Sequence, residues 1–218
     1  MLQFPCLVLD HDDTVVQSTP SVNYPSFVES MKILRPNLHM PLDEFLRLSY
    51  DPGFFPLCTD ILKLNAEELE FEGKFWRDYA RNHLPLPYPG FKELLWDYRA
   101  AGGIICVASH SSDENILRDY NHHFGMLPDR IYSSDLPTHQ RKPEPYALQD
   151  IMEYYGLSPD QLLMVDDLKP GAYMAKACGV PFAGAGWSHT VPELAEDLRQ
   201  YCDYYLNSVD ELRHLLFD

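Results

Sequence analysis

The chain has 218 residues, 45% of them hydrophobic, and its 33 acidic against 17 basic side chains give a net charge of −16. That length accommodates one substantial domain, or a core domain carrying a smaller insertion. The charge argues against a nucleic-acid or anionic-membrane surface, since neither polyanion is drawn to it, but a small anion held by a local cation stays compatible.

In chain order, short apolar runs alternate with amphipathic stretches. "FPCLVLD" reads as a buried strand ending at Asp10, and "GGIICVASH" as a second, ending near Ser109. "RIYSSD" is a weaker third, "LLMVDD" a fourth ending at Asp166, and "VPFAGAGW" a fifth. Helices fit between them. "SSDENILRDYNHHF" opens with a Ser111–Glu114 capping box, and "SVDELRHLLF" with Ser208 and Glu211. "EPYALQDIMEYYG" and "PGAYMAKACG" stop at Gly156 and Gly179, glycines suited to a left-handed cap. Strands alternating with helices predict an α/β domain with a parallel, Rossmann-like sheet.

One interval breaks the rhythm. From about Gln17 to Leu86 there is no strand pattern, much proline and long helical periodicity. "NAEELEFEGKFWRDYARNHL" puts Leu69, Trp76, Tyr79 and Ala80 on one face behind a candidate cap, Asn65. "PLPYPG" closes the interval as a linker. The expected organisation is therefore an α/β core from residues 1–16 and 87–218, with residues 17–86 inserted as a helical domain. Cys6, Cys58, Cys106, Cys178 and Cys202 show no CxxC spacing, which suggests reduced thiols and a cytoplasmic protein. Cys6, Cys106 and Cys178 lie in apolar surroundings and read as small core hydrophobes. Asp10 interrupts the first apolar run too early for a signal peptide, and no run reaches the roughly 20 residues of a membrane span.

The chemistry gathers where the strands end. In a parallel α/β sheet the carboxyl ends form the ligand crevice. Asp10, Asp12, Ser109, Asp166 and Asp167 all fall there, although they are far apart in the chain. Carboxylates brought so close require a counter-charge. An oxygen-only ligand set without Cys or His suits a hard cation, Mg²⁺ first. Ser109, with the amides of His110 and Ser111 at a helix start, would cradle a phosphate, and Lys142 in "HQRKPEPY" supplies a compact cation. A carboxylate can then attack phosphorus, and a second one two residues on can protonate the leaving alcohol.

These residues resemble the haloacid dehalogenase-like hydrolases. The DxDxT motif is present as Asp10-His11-Asp12-Asp13-Thr14, followed in order by Ser109, Lys142 and the acidic pair of "VDDLKPG". The resemblance covers nearly the whole chain, and the insertion falls where that family carries its helical C1 cap. It implies Asp10 as nucleophile and Asp12 as general acid/base. Mg²⁺ would sit on the Asp10 side chain, the Asp12 carbonyl and Asp167, with Asp166 a direct or water-mediated ligand. Ser109 and Lys142 would hold the phosphoryl group, and Thr14 would orient the loop. His110 beside Ser109 is unusual for the family and is a candidate substrate contact, against a solvent-facing or loop-packing role. Asp13 stands where the family usually has Gly, a backbone conformation that Asp tolerates better than most residues.

The function expected is a Mg²⁺-dependent phosphatase acting on a small phosphorylated metabolite, as a monomer or small homo-oligomer, without nucleic-acid or membrane partners. A phosphomutase resembling β-phosphoglucomutase would use the same aspartyl-phosphate, and a non-catalytic binding protein on the same fold is the contrasting class. A dehalogenase would lack the acid/base that Asp12 supplies, and a phosphonate hydrolase would need a cap lysine, for which Lys32, Lys63 and Lys74 are in position. Arg35, Arg47, Tyr24, Tyr50 and Phe54 are candidates for lining the cap.

Overall fold

The computed structural model describes residues 2–217. Six short strands form one sheet: β1 (Cys6–Leu9), β2 (Ile104–Ala108), β3 (Arg130–Tyr132), β4 (Leu162–Asp166), β5 (Phe182–Ala185) and β6 (Tyr204–Leu206). All pairings are parallel, in the order β3-β2-β1-β4-β5-β6. β1, β2 and β4 are almost wholly buried, which is why they read as continuous apolar runs rather than alternating ones. Helices connect successive strands, and strand order reverses beside β1, so β1 and β4 meet at the switch point.

β6 is the strand that sequence reasoning missed. Its three residues form the sheet edge between Asp203 and Asn207, too short to show a period. The helix after β2 spans Asp113–Phe124 and is capped by Ser112, whose Oγ accepts from the Asn115 N–H at 3.3 Å. The Ser111 cap expected from the sequence is thus displaced by one residue. Ser111 is held in the loop instead: its N–H donates to Ser109 Oγ at 3.1 Å and its carbonyl accepts from Ser134. Gly156 and Gly179 end their helices in the left-handed conformation, as expected. Cys6 and Cys106 are fully buried core residues, but Cys178 is only half-buried, because it is the last residue of its helix.

The chain divides into two compact units. One comprises Met1–Gln17, Leu86–His189 and Ala195–Asp218; the other comprises Ser18–Pro85 with Thr190–Leu194. In the first unit the segments at the two junctions pair with each other: Gln17 N–H donates to Leu86 O at 2.8 Å and Tyr88 N–H to Val15 O at 3.0 Å. The second unit is helical, with its own core of Phe27, Met31, Met40, Phe45, Leu57, Cys58 and Leu64. Its long helix, Ala66–Asn82, starts in an Asn65–Glu68 capping box. Trp76 packs half-buried and donates to Asn23 Oδ1 at 2.9 Å. Arg35 grips Glu68 through both carboxylate oxygens at 2.7 and 2.9 Å, and Tyr24 donates to the Met40 carbonyl, so both are tied within this unit. No helix among the described residues is long and apolar enough to cross a membrane.

Glu72 lies on the buried face of that long helix, 6% exposed. Burial pushes its carboxyl up to about 7, against an opposing pull from Arg77. The stability gained by keeping it protonated is full below the ordinary value of 4.5 and is lost as pH rises through 7. Such a shift corresponds to on the order of 3 kcal/mol once the carboxylate must be buried. Glu72→Gln should therefore raise the melting midpoint by several degrees near pH ~8 and change it little near pH ~5. An equal change at both pH values in thermal melts would show that Glu72 is not buried as an acid.

Candidate active site

Sheet register brings the sequence-predicted residues to one level. β1 pairs with β2 and β4 so that Leu9 lies opposite both Val107 and Val165. One step further, Asp10 stands beside Asp166, and its N–H donates to Val165 O at 2.9 Å. Ser109 follows β2 on the other side, with its N–H on the Tyr132 carbonyl. Asp10, Ser109, Asp166 and Asp167 are all buried at this edge.

Lys142, also buried, reaches in from the segment after β3. Its Nζ donates to Asp10 Oδ1 at 2.7 Å and to Asp166 Oδ2 at 2.5 Å. Burial works against the ammonium charge, but Asp10 and Asp166 outweigh it and raise the lysine's pKa. Asp166 Oδ1 accepts from the Leu168 N–H at 2.8 Å. The following helix, Lys169–Cys178, crosses so close that a Cβ on Gly171 would lie 2.2 Å from Asp166 Oδ2, which explains the glycine in "KPG".

Oxygens of Asp10, Asp166 and Asp167 lie within 4.8 Å of one another. Burial, partly offset by Lys142, pushes Asp166 up to about 7. Asp167 is raised well above the usual carboxylate range, first by burial and then by Asp166, Asp13 and Asp10. These three carboxyls, so close together, have one ammonium among them, and the donor set is all oxygen. That is the chemistry a hard divalent cation fits.

The remaining predicted residues are placed as follows. Thr14 is buried and its Oγ1 donates to Asp167 Oδ1 at 3.3 Å, a link between the first loop and the acidic pair. Asp12 is half-buried at the turn beyond Asp10, and its carboxylate is outside the close triad. Asp13 has φ +56°, the left-handed conformation that accounts for glycine being usual there, and its N–H closes the turn on Val16 O at 2.8 Å. His110 keeps exposed surface, and its Nε2 donates to the Lys142 carbonyl at 2.7 Å.

Several side chains at this edge escaped sequence reasoning. His11 is fully buried between the two aspartates, with Nε2 3.0 Å from Asp119 Oδ2, while Arg118 Nε donates to Asp119 Oδ1 at 2.7 Å. Trp187 Nε1 donates to the Thr14 carbonyl at 3.0 Å, and His189 Nε2 to the Asp167 carbonyl at 2.8 Å. The available signal was position: "GWSH" directly follows β5 at the carboxyl edge of the sheet.

A family model described as haloacid dehalogenase-like hydrolase matches residues 4–179. A phosphoglycolate phosphatase of Pseudomonas putida is 31% identical over 147 residues, covering 65% of this chain and 51% of that protein. This chain thus spans about half the length of that relative. A phosphoglycolate phosphatase of Vibrio cholerae is 26% identical over 211 residues, covering 88% of this chain and 89% of the relative. Among solved structures, CbbY from Rhodobacter sphaeroides in complex with phosphate shares the fold, with a TM-score of 0.73, 19% identity and coverage of 97% and 96%.

The buried lysine makes a stability test. Lys142→Met leaves Asp10 and Asp166 without their ammonium and should cost about 3–5 kcal/mol in denaturant unfolding near neutral pH without divalent cations. The deficit should shrink as pH falls, because without the lysine Asp166 takes up its proton at a pH above the value of about 7 that it has beside it. Unchanged stability at neutral pH would mean that the lysine does not offset these charges.

Proposed function

The chain belongs to the haloacid dehalogenase-like hydrolases, and from that premise we propose that it is a Mg²⁺-dependent phosphatase hydrolysing a small phosphate monoester through an aspartyl-phosphate. The observation that carries this reading is the buried triad of Asp10, Asp166 and Asp167, with Lys142 bonded to two of its members.

In this mechanism an Asp10 carboxylate oxygen attacks phosphorus and the phosphorus–oxygen bond to the alcohol breaks. Asp12 gives its proton to the departing oxygen, which leaves as a neutral alcohol. As a carboxylate, Asp12 then takes a proton from water, whose oxygen attacks the phosphorus of the aspartyl-phosphate. Asp10 is regenerated and inorganic phosphate released. Ser109 and the Lys142 ammonium hold the phosphoryl oxygens throughout. His110, bonded to the Lys142 carbonyl, supports that pocket through the lysine. Mg²⁺ would be held by Asp10, Asp167 and the Asp12 carbonyl, with Asp166 direct or through water, and would neutralise phosphoryl charge. Thr14 keeps Asp167 in register with the first loop.

The helical unit is assigned the choice of substrate by the family resemblance. Relatives named phosphoglycolate phosphatase make 2-phosphoglycolate the first ester to try. The test is phosphate release from a panel of phosphorylated metabolites with Mg²⁺. Asp10→Asn should abolish release, since an amide is a poor nucleophile. Asp12→Ala should slow esters of ordinary alcohols by about 10²–10⁴ and spare p-nitrophenyl phosphate in part, because that leaving group needs no proton. Full activity in Asp10→Asn would remove the nucleophile assignment. No release from any monoester would shift the reading to a binding role on this fold.

A further inference from the structure

The turn after β5 touches the acidic site from behind. His189 Nε2 lies 2.8 Å from the Asp167 carbonyl, and its Nδ1 lies 3.1 Å from the Tyr205 hydroxyl. A carbonyl oxygen only accepts, so Nε2 carries a proton; in the neutral ring Nδ1 then accepts from Tyr205. One residue before the serine of this turn, Trp187 donates to the Thr14 carbonyl, and Thr14 donates to the Asp167 carboxylate. Asp167 is thereby gripped at its main chain by His189 and at its side chain by Thr14.

Tyr205 has a seat made for it. β5 and β6 pair Gly184 with Tyr205. A Cβ on Gly186 would lie 2.4 Å from the Tyr205 ring, and one on Gly184 would meet it at 3.1 Å and Cys202 Sγ at 2.6 Å. Both positions have to lack a side chain for the ring to lie along the strand. Arg199 covers the ring with its guanidinium carbon 4.2 Å from the centroid. The alternation "AGAG", which runs from β5 into the turn after it, is the imprint of this ring on the sequence, and the ring's hydroxyl ends on His189.

We propose that His189, oriented by Tyr205, is a positioning residue for the cation site, holding Asp167 at the geometry in which its carboxylate binds the metal. Neither residue is among those that would hold the metal or the phosphoryl group. A hydrogen bond to the Asp167 carbonyl limits rotation of the peptide on which the carboxylate is mounted, and the Tyr205 hydroxyl limits rotation of the imidazole. Partners of this kind typically change metal affinity by about 10–100-fold when removed. This inference rests on the divalent-cation reading of the Asp10–Asp166–Asp167 triad.

The test is Mg²⁺ titration of the melting midpoint of EDTA-treated protein, which reads metal affinity without turnover. Wild type should be stabilised in a saturable way, and Asp167→Asn should respond much less. His189→Phe, which keeps a ring but no donor, should need roughly tenfold more Mg²⁺ for the same shift. Tyr205→Phe, which keeps the packed ring and loses one hydroxyl, should need roughly threefold more, a smaller effect because it acts one step further away. His189→Gln sets an amide N–H near the Nε2 position and should recover most of the affinity. A merely structural role would lower the metal-free midpoint of the variants while leaving the Mg²⁺ concentration dependence unchanged, and that result would overturn the proposal. If wild type itself gave no response to Mg²⁺, the cation reading would fall instead.

Discussion

A single ammonium group set between two buried carboxylates governs the rest of this molecule. Lys142 binds Asp10 and Asp166 at the carboxyl edge of the sheet, where little water reaches any of the three. Taking such charges out of water is costly, and the attraction compensates only when geometry and further hydrogen bonds are good. The surrounding structure supplies them: Leu168 caps Asp166 through its amide, Thr14 binds Asp167, and the Asp10 amide is anchored on β4. One cation does not balance three carboxyls, and the pKa values of Asp166 and Asp167 are raised, first by burial and then by their carboxylate neighbours. A site left electrostatically incomplete by its own side chains is suited to receiving a metal ion.

The sheet makes this concentration of charge feasible. A central β1 with β2 and β4 on either flank places three strand ends at one level, whereas an edge position would have given Asp10 only one neighbouring strand. Glycine then sets how closely other elements can come. Gly171 lets a helix pass over Asp166, and Gly184 and Gly186 admit the Tyr205 ring. In each case the missing side chain matters because of what fills the space, so these are packing requirements rather than flexible points.

The helical unit handles its charges in two ways. Glu68 is tied by Arg35 and by the amide of Asn65, which hold its carboxyl far below the ordinary value, at about 2. Glu72, one turn on, has only the more distant Arg77 to oppose its burial, and its carboxyl rises. The same helix therefore carries one acid kept charged by its partners and one kept protonated by its surroundings.

The local features were readable in the chain. Apolar runs ending in acids marked β1 and β4, Asn65 marked a helix start, Ser111 marked another one residue early, and Gly156 and Gly179 marked helix ends, because each depends on a few adjacent residues. The ordered acids, Ser109 and Lys142 were enough to suggest the family. What the sequence could not contain was register and reach. β6 is an edge strand of three residues that exists only because β5 offers it hydrogen bonds. His110 has its imidazole on Lys142, His11 is buried against Asp119, and His189 meets Asp167 across 22 positions, none of which local pattern reveals. Residue type and spacing along the chain determined which groups end the strands. Only the three-dimensional pairing of those strands decided which of them meet, because contact between distant residues depends on the packing of every element between them.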